Sequence, residues 1–222
     1  MKLLFISLGC DKNLVDSEEM LGMLAADGHQ IVDDEDEAEV IIINTCCFIG
    51  DAKEESVNTI LEMAEKKKAG TCKVLIVTGC MAQRYKKEIS EEIPEVDAIL
   101  GTTSYGEIVK AVKEAQAGRH FEEYKSIDYL PDISGKRMLT TGGHFAYLKI
   151  AEGCDKHCTY CIIPKLRGSY RSVPMEELVK EASSLAQQGV KELILVAQET
   201  TVYGKDLYGK KSLHILLKEL CK

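Results

Sequence analysis

Three cysteines fall close together in the segment GCDKHCTYCIIP: Cys154, Cys158 and Cys161, spaced C-x3-C-x2-C. Thiolates this near one another can bind three irons of a four-iron cubane from a single loop. The fourth iron then lacks a protein ligand, and that open position suits a small molecule bearing an amine and a carboxylate. Zinc is the alternative, but structural zinc takes four ligands, usually from paired C-x2-C spacings. His157 is the nearest further donor, yet its place between two of the cysteines would strain a tetrahedral site.

A second pattern is more dispersed. Cys10, Cys46 and Cys80 close the segments SLGC, INTC and VTGC, each just after an apolar run that reads as a strand. The intervals are 36 and 34 residues, one strand–helix–strand repeat each. Parallel strands share a direction, so the three thiols should emerge along one edge of a sheet and form a second three-cysteine site. A buried cysteine is often only a small hydrophobe, but three at equivalent places ask for a common purpose. Cys47 follows Cys46 directly and should point away from it. Cys72 precedes its strand and so belongs at the opposite edge, and Cys221 lies near the last residue; these three read as structural.

The elements that would position these thiols alternate along the chain. Residues 2–8, 39–44, 73–78 and 97–100 read as buried strands, with helices expected over 16–27, 52–69, 82–90 and 104–117. Apolar strands alternating with amphipathic helices predict an α/β fold, a parallel sheet covered on both faces. From 118 to 143 the periodicity fades, and Pro131, Asp132, Ser134, Gly135 and the pair Gly142-Gly143 mark a linker. Strand and helix signals resume at 145–150, 174–188 and 192–197, with a last helix from Ser212. The expected units are therefore 1–117, a linker at 118–143, and 144–222. The C-x3-C-x2-C loop follows the strand at 145–150, at the end where α/β folds place their chemistry.

Composition narrows the function. The chain has 222 residues and a net charge of −8. Residues 1–140 hold 16 Lys and Arg against 27 Asp and Glu, and the remainder 12 against 9. An acidic first part, no Trp and few aromatic residues argue against direct nucleic-acid binding by this chain. Nine cysteines is an odd number, and a secreted disulfide framework would want pairs. The apolar stretch Leu3–Leu8 is too short for an export signal, and no run approaches the ~20 residues of a membrane helix. A reduced, cytoplasmic setting and no membrane are expected, with the cysteines serving metal or redox chemistry.

The motifs SLGCDKNLVDSE, INTCCFI, VTGC, EGCDKHCTYCIIPKLRG and LVAQETTVYG resemble those of the radical-SAM methylthiotransferases, over their N-terminal domain and the opening of their radical-SAM domain. Within that family, GC-x-KNLVDSE and AQ-x-TT-x-YG resemble the branch that modifies a ribosomal protein. The transfer-RNA branch tends instead to read GC-x-MN and GQNVN.

The resemblance implies a Rossmann-like parallel-sheet domain followed by the start of a partial (β/α) barrel. It implies two 4Fe-4S clusters, one on Cys154, Cys158 and Cys161 and an auxiliary one on Cys10, Cys46 and Cys80. It also implies S-adenosylmethionine (SAM), with contacts from Tyr160 and Gln198. The reaction implied is addition of a methylthio group to the β-carbon of an aspartate in a small-subunit ribosomal protein, with a sulfur donor and an electron donor as further partners. The first cluster would cleave SAM reductively to a radical that abstracts a substrate hydrogen, and the auxiliary cluster would hold the sulfur. The chemistry belongs to the cofactors, and no side chain is assigned a catalytic role. The alternatives are a transfer-RNA adenosine methylthiotransferase and an inactive iron–sulfur fragment.

Three departures from the family pattern stand out. Cys47 occupies a place that is usually small or apolar, Val173 interrupts a usually basic RS-x-P ending, and family members are about twice as long. A fragment or truncated product is therefore expected, ending after the second barrel strand, with an open sheet edge, weak SAM binding and poor turnover.

Overall fold

In a computed structural model, the structure describes residues 1–131 and 137–222. The linker residues Asp132, Ser134 and Gly135 lie outside the described residues. In chain order the elements are β1 (Lys2–Ser7), α1 (Asp11–Ala26), β2 (Gln30–Ile31), β3 (Val40–Thr45), α2 (Gly50–Lys68), β4 (Val74–Gly79), α3 (Cys80–Arg84), α4 (Lys86–Glu92), β5 (Ala98–Leu100), α5 (Ile108–Gln116) and β6 (Phe121–Glu123). These are followed by β7 (Phe145–Lys149), β8 (Ala151–Glu152), α6 (Ile163–Arg167), β9 (Arg171–Ser172), α7 (Met175–Gln187), β10 (Glu192–Val196), α8 (Lys205–Tyr208) and α9 (Leu213–Leu220).

The first sheet is fully parallel, in the order β2-β1-β3-β4-β5-β6. Its central strands carry unbroken apolar runs because both faces are covered: Ile41, Ile42 and Ile43 of β3 and Leu75, Ile76 and Val77 of β4 are all buried. One face packs on α2, where Ile60, Met63 and Ala64 meet Ile41, Ile43, Leu75 and Val77. The other packs on α1 and α5, through Met20 and Leu24 and through Ile108, Ala111, Val112 and Ala115. That last spacing of three and four residues is the apolar stripe of an amphipathic helix.

Two strands of the first sheet escaped the sequence reading. At two and three residues, β2 and β6 are too short for a period-2 pattern to register, and they pair at the sheet's two edges. The sheet thus continues into the segment that reads as a linker. The helix expected over 82–90 is two pieces, α3 and α4, separated at Tyr85. Helix α1 begins at Asp11 rather than at 16, because its first turn buries a polar residue, Asn13, instead of an apolar stripe.

Beyond the linker, β7 and β10 pair in parallel, with Lys149 opposite Val196. Leu148, Ile150, Leu178, Tyr203 and Leu216 form the core around them. Val173 joins that core, and its carbonyl accepts a hydrogen bond from the Tyr203 hydroxyl. Among the described residues, no helix is long and apolar enough to cross a membrane.

Candidate functional site

The register of the first sheet explains the 36- and 34-residue cysteine intervals. Ser7 pairs with Asn44, and Asn44 with Thr78, so β1, β3 and β4 end level with one another. Cys10, Cys46 and Cys80 follow those ends on the carboxyl edge of the sheet. In the second sheet the loop after β7 brings Cys154, Cys158 and Cys161, and the loop after β10 brings Gln198 and Glu199. All six cysteines, together with Tyr160 and Gln198, line one cavity of about 1090 Å³. The geometry brings together every site residue expected from the sequence.

Two of the cysteines are set by close backbone approach. Gly9 has φ +95°, and a Cβ there would lie 2.6 Å from Cys46 Cβ and 3.0 Å from its Sγ. Gly79 has φ +93°, and a Cβ there would lie 2.3 Å from Asn44 Oδ1 and 2.6 Å from the Thr45 carbonyl. Only glycine fits both demands, a left-handed φ and no side chain. Cys46 is held further by Ser56 of α2, whose hydroxyl accepts from the Cys46 N–H at 3.0 Å and donates to its carbonyl at 2.8 Å.

The neighbouring thiols divide as expected. Cys47 is buried in the apolar layer with Ile60 and Met63 and is absent from the cavity lining. Cys72 is buried at the opposite edge, its thiol donating to the Val74 carbonyl at 3.0 Å. Cys221 is exposed near the end of the last helix. All nine cysteines are free. Burial pushes the Cys80 thiol up to about 11, although the nearby Arg167 guanidinium works against the shift. Burial also raises Cys47, against the pull of Arg84.

Beneath the cavity lies a buried ionic network that sequence reasoning missed. Arg167, at the end of α6, donates to Asp16 of α1 at 2.8 Å and to Glu152 at 3.0 Å. Its other terminal nitrogen donates to Asn13 Oδ1. Asn13 in turn donates to the carbonyls of Leu8 and Thr45, both at 3.0 Å, tying the ends of β1 and β3 together. Lys149 of β7 bonds Asp16 and lies 3.6 Å from Glu152. A second buried cluster joins Arg137 to Glu18 and Glu181. Burial alone would raise the Glu152 carboxyl, but Arg167 and Lys149 more than offset it and hold the group below the usual range. Asn13, Asp16 and Glu18 stand in the motif KNLVDSE and Arg167 in KLRG, and an acidic helix start normally signals a solvated surface. No local sequence signal marks Asp16 and Glu18, whose cationic partners lie more than a hundred residues away.

The cavity suits the groups that the cysteines suggest. Gln198 donates through Nε2 to Glu152 at 2.7 Å, which fixes its amide. Its Oε1 is then buried and, among the described residues, without a hydrogen-bond partner, an acceptor ready for a ligand N–H. Tyr160 is 86% exposed, a ring held out between Cys158 and Cys161. At the rim Lys156 pairs with Glu199 and holds that carboxyl down at about 2. Among the described residues, no three His, Cys, Asp or Glu side chains converge tightly enough to hold a single metal ion. A cubane asks for something else, since each thiolate binds an iron of its own.

Residues 148–221 match the radical SAM superfamily, and residues 2–101 match the uncharacterized protein family UPF0004. The chain belongs to the radical-SAM methylthiotransferase family. It is similar to the ribosomal protein uS12 methylthiotransferase RimO of Lachnoclostridium phytofermentans, 65% identical over 221 residues, covering 100% of this chain and 50% of that protein. The RimO proteins of Clostridioides difficile and Acetivibrio thermocellus are 53% and 54% identical, over 100% and 97% of this chain and 50% and 49% of their own lengths. The chain spans about half the length of the curated relatives it matches. Membership of the radical SAM superfamily implies a 4Fe-4S cluster and SAM.

Proposed function

We propose that this chain carries the two-cluster core of an aspartate methylthiotransferase acting on a small-subunit ribosomal protein. The observation that carries the reading is the single cavity lined by both cysteine triads. In it Cys154, Cys158 and Cys161 hold one 4Fe-4S cluster, and Cys10, Cys46 and Cys80 hold the auxiliary one. When bound, the clusters and SAM supply reductive cleavage, hydrogen abstraction and the sulfur that is transferred. The chain's own residues bind, orient and exclude water. Gln198 Oε1 accepts a hydrogen bond from SAM, and the Tyr160 ring lies against it. The Lys156–Glu199 pair closes one side of the cavity. A sulfur donor and an electron donor are needed besides the protein substrate. The units carried with this reading are 1–117, with β6 extending its sheet, a connection at 118–143, and a second unit from 144.

Two measurements test the reading. Anaerobic reconstitution should load about eight irons per chain, two cubanes, and zinc as the sole tightly bound metal would overturn it. In cells, Cys80→Ala or Cys154→Ala in this sequence should remove the methylthio mass from the aspartate of the ribosomal protein. Loss of a methylthio group from transfer RNA instead would assign the substrate to the other branch.

A further inference from the structure

The auxiliary triad Cys10, Cys46 and Cys80 comes entirely from the first unit, yet a cation that acts on Cys80 does not. Arg167 belongs to α6, in the loop region of the second unit, and it crosses to the first. It donates to Asn13 Oδ1, and that same oxygen lies 3.9 Å from Cys80 Sγ. In the metal-free protein the Cys80 thiol can donate to Asn13. Once the sulfur binds iron as a thiolate it has no proton to donate, and a bare carbonyl oxygen facing it would be repulsive. The Arg167 guanidinium, itself close enough to Cys80 to favour its thiolate, offsets that repulsion with its own positive charge.

We propose that Arg167 is a positioning residue for the auxiliary cluster: the second unit supplies the fixed positive charge that completes a cluster site built from the first. This deepens the two-cluster reading above and rests on it. The two carboxylates at Arg167, Asp16 and Glu152, are balanced by Arg167 together with Lys149. These four charges sum to zero, and Arg167 is the member that acts on Cys80. Arginine suits the task because it stays charged when buried and spreads its donors over several acceptors at once. Asp16 and Glu152 fix its plane, leaving one terminal nitrogen for Asn13. A positive charge beside an iron–sulfur cluster favours the reduced, more negative state and so raises its potential.

The test reads the auxiliary cluster alone, in the full chain carrying Cys154→Ala, Cys158→Ala and Cys161→Ala. Iron content and the midpoint potential are measured by anaerobic redox titration followed by electron paramagnetic resonance. Arg167→Gln should shift the potential to more negative values, while Arg167→Lys, which keeps the charge, should restore it toward the wild-type value. Asp16→Asn removes a negative charge from the same network and should shift the potential the other way, and it decides the matter if Arg167→Gln does not fold. A full cluster whose potential is unmoved by Arg167→Gln, or by Asp16→Asn in its place, overturns the inference and leaves the two-cluster reading standing. A lysine variant displaced as far as the glutamine variant overturns it too, since geometry rather than charge would then be at work. A wild-type chain that assembles no cubane on either triad overturns both.

Discussion

Lys149, the last residue of β7, buries its ammonium against the carboxylate of Asp16, on α1, more than a hundred residues earlier in the chain. Both side chains are almost wholly withdrawn from solvent. Asp16 also holds Arg167, and Glu152 lies within reach of both cations, so the contact ties the first sheet's helix layer to the second sheet. The two triads can share a cavity only if the two sheets keep this relation.

Breaking that tie should be costly. Replacing Lys149 with Met leaves Asp16 and Glu152 sharing one cation, Arg167. Removing one partner of a buried pair typically destabilises by about 3–5 kcal/mol, because the remaining charge is stranded. Urea denaturation of the metal-free protein measures it. A loss below about 1 kcal/mol would show that water reaches the network and screens it.

Glu19 gives a pH dependence of known sign. Its carboxyl is buried, and among the described residues neither oxygen makes a well-aligned hydrogen bond. Burial raises it from 4.5 to about 7; Lys149 opposes the shift and Asp16 adds to it, with Tyr105 and Glu181 as the other facing groups. An acid raised in this way holds its proton more tightly when folded. Its contribution to stability is complete below its unfolded value and is lost as pH rises through about 7. Glu19→Gln should therefore match the wild type near pH 4.5 and exceed it above pH 7, by an amount on the order of 2–4 kcal/mol. Thermal melts across that range check it, and parallel curves for the two proteins would refute it.

The cysteine edge was legible in the sequence because strand ends in a parallel sheet recur at a regular interval, and SLGC, INTC and VTGC carry that interval openly. The sheet's edges were not, since Gln30–Ile31 and Phe121–Glu123 are shorter than one period of any pattern. Asn13, Asp16 and Glu18 were invisible for a different reason. On composition, an acidic helix start reads as a solvated face, and only the tertiary arrival of Arg137, Lys149 and Arg167 turns it inward. Neutralising partners more than a hundred residues away leave no local trace.

Cys46 and Cys47 offer the sharpest test of direction at a strand end. Cys46 faces the cavity, while Cys47 packs among Ile60 and Met63 in the apolar layer. Cys46→Ala should lower the iron of a reconstituted chain by one cubane, about four atoms. Cys47→Ala should leave iron unchanged and cost about 1 kcal/mol of stability, the usual scale for trimming a small buried side chain. Equal iron loss in the two variants would mean that the wrong thiol has been chosen.

Gly9 shows how closely the backbone must approach to present that thiol. At φ +95° an alanine would be strained, and its methyl group would meet Cys46 Cβ at 2.6 Å and Cys46 Sγ at 3.0 Å. Gly28 provides the control. Its φ is +89°, but a Cβ there would meet nothing within 4 Å. Both alanine variants therefore carry the same backbone penalty, about 1–3 kcal/mol, and only Gly9→Ala displaces a thiol. Both should fold, with the larger loss in a urea titration for Gly9→Ala, whose methyl group must also displace Cys46. Anaerobic reconstitution should then separate them: Gly28→Ala should load about eight irons, and Gly9→Ala about four. If Gly9→Ala keeps the full complement, Cys46 can shift aside without losing its iron, and the auxiliary triad is less tightly placed than the packing around Gly9 implies.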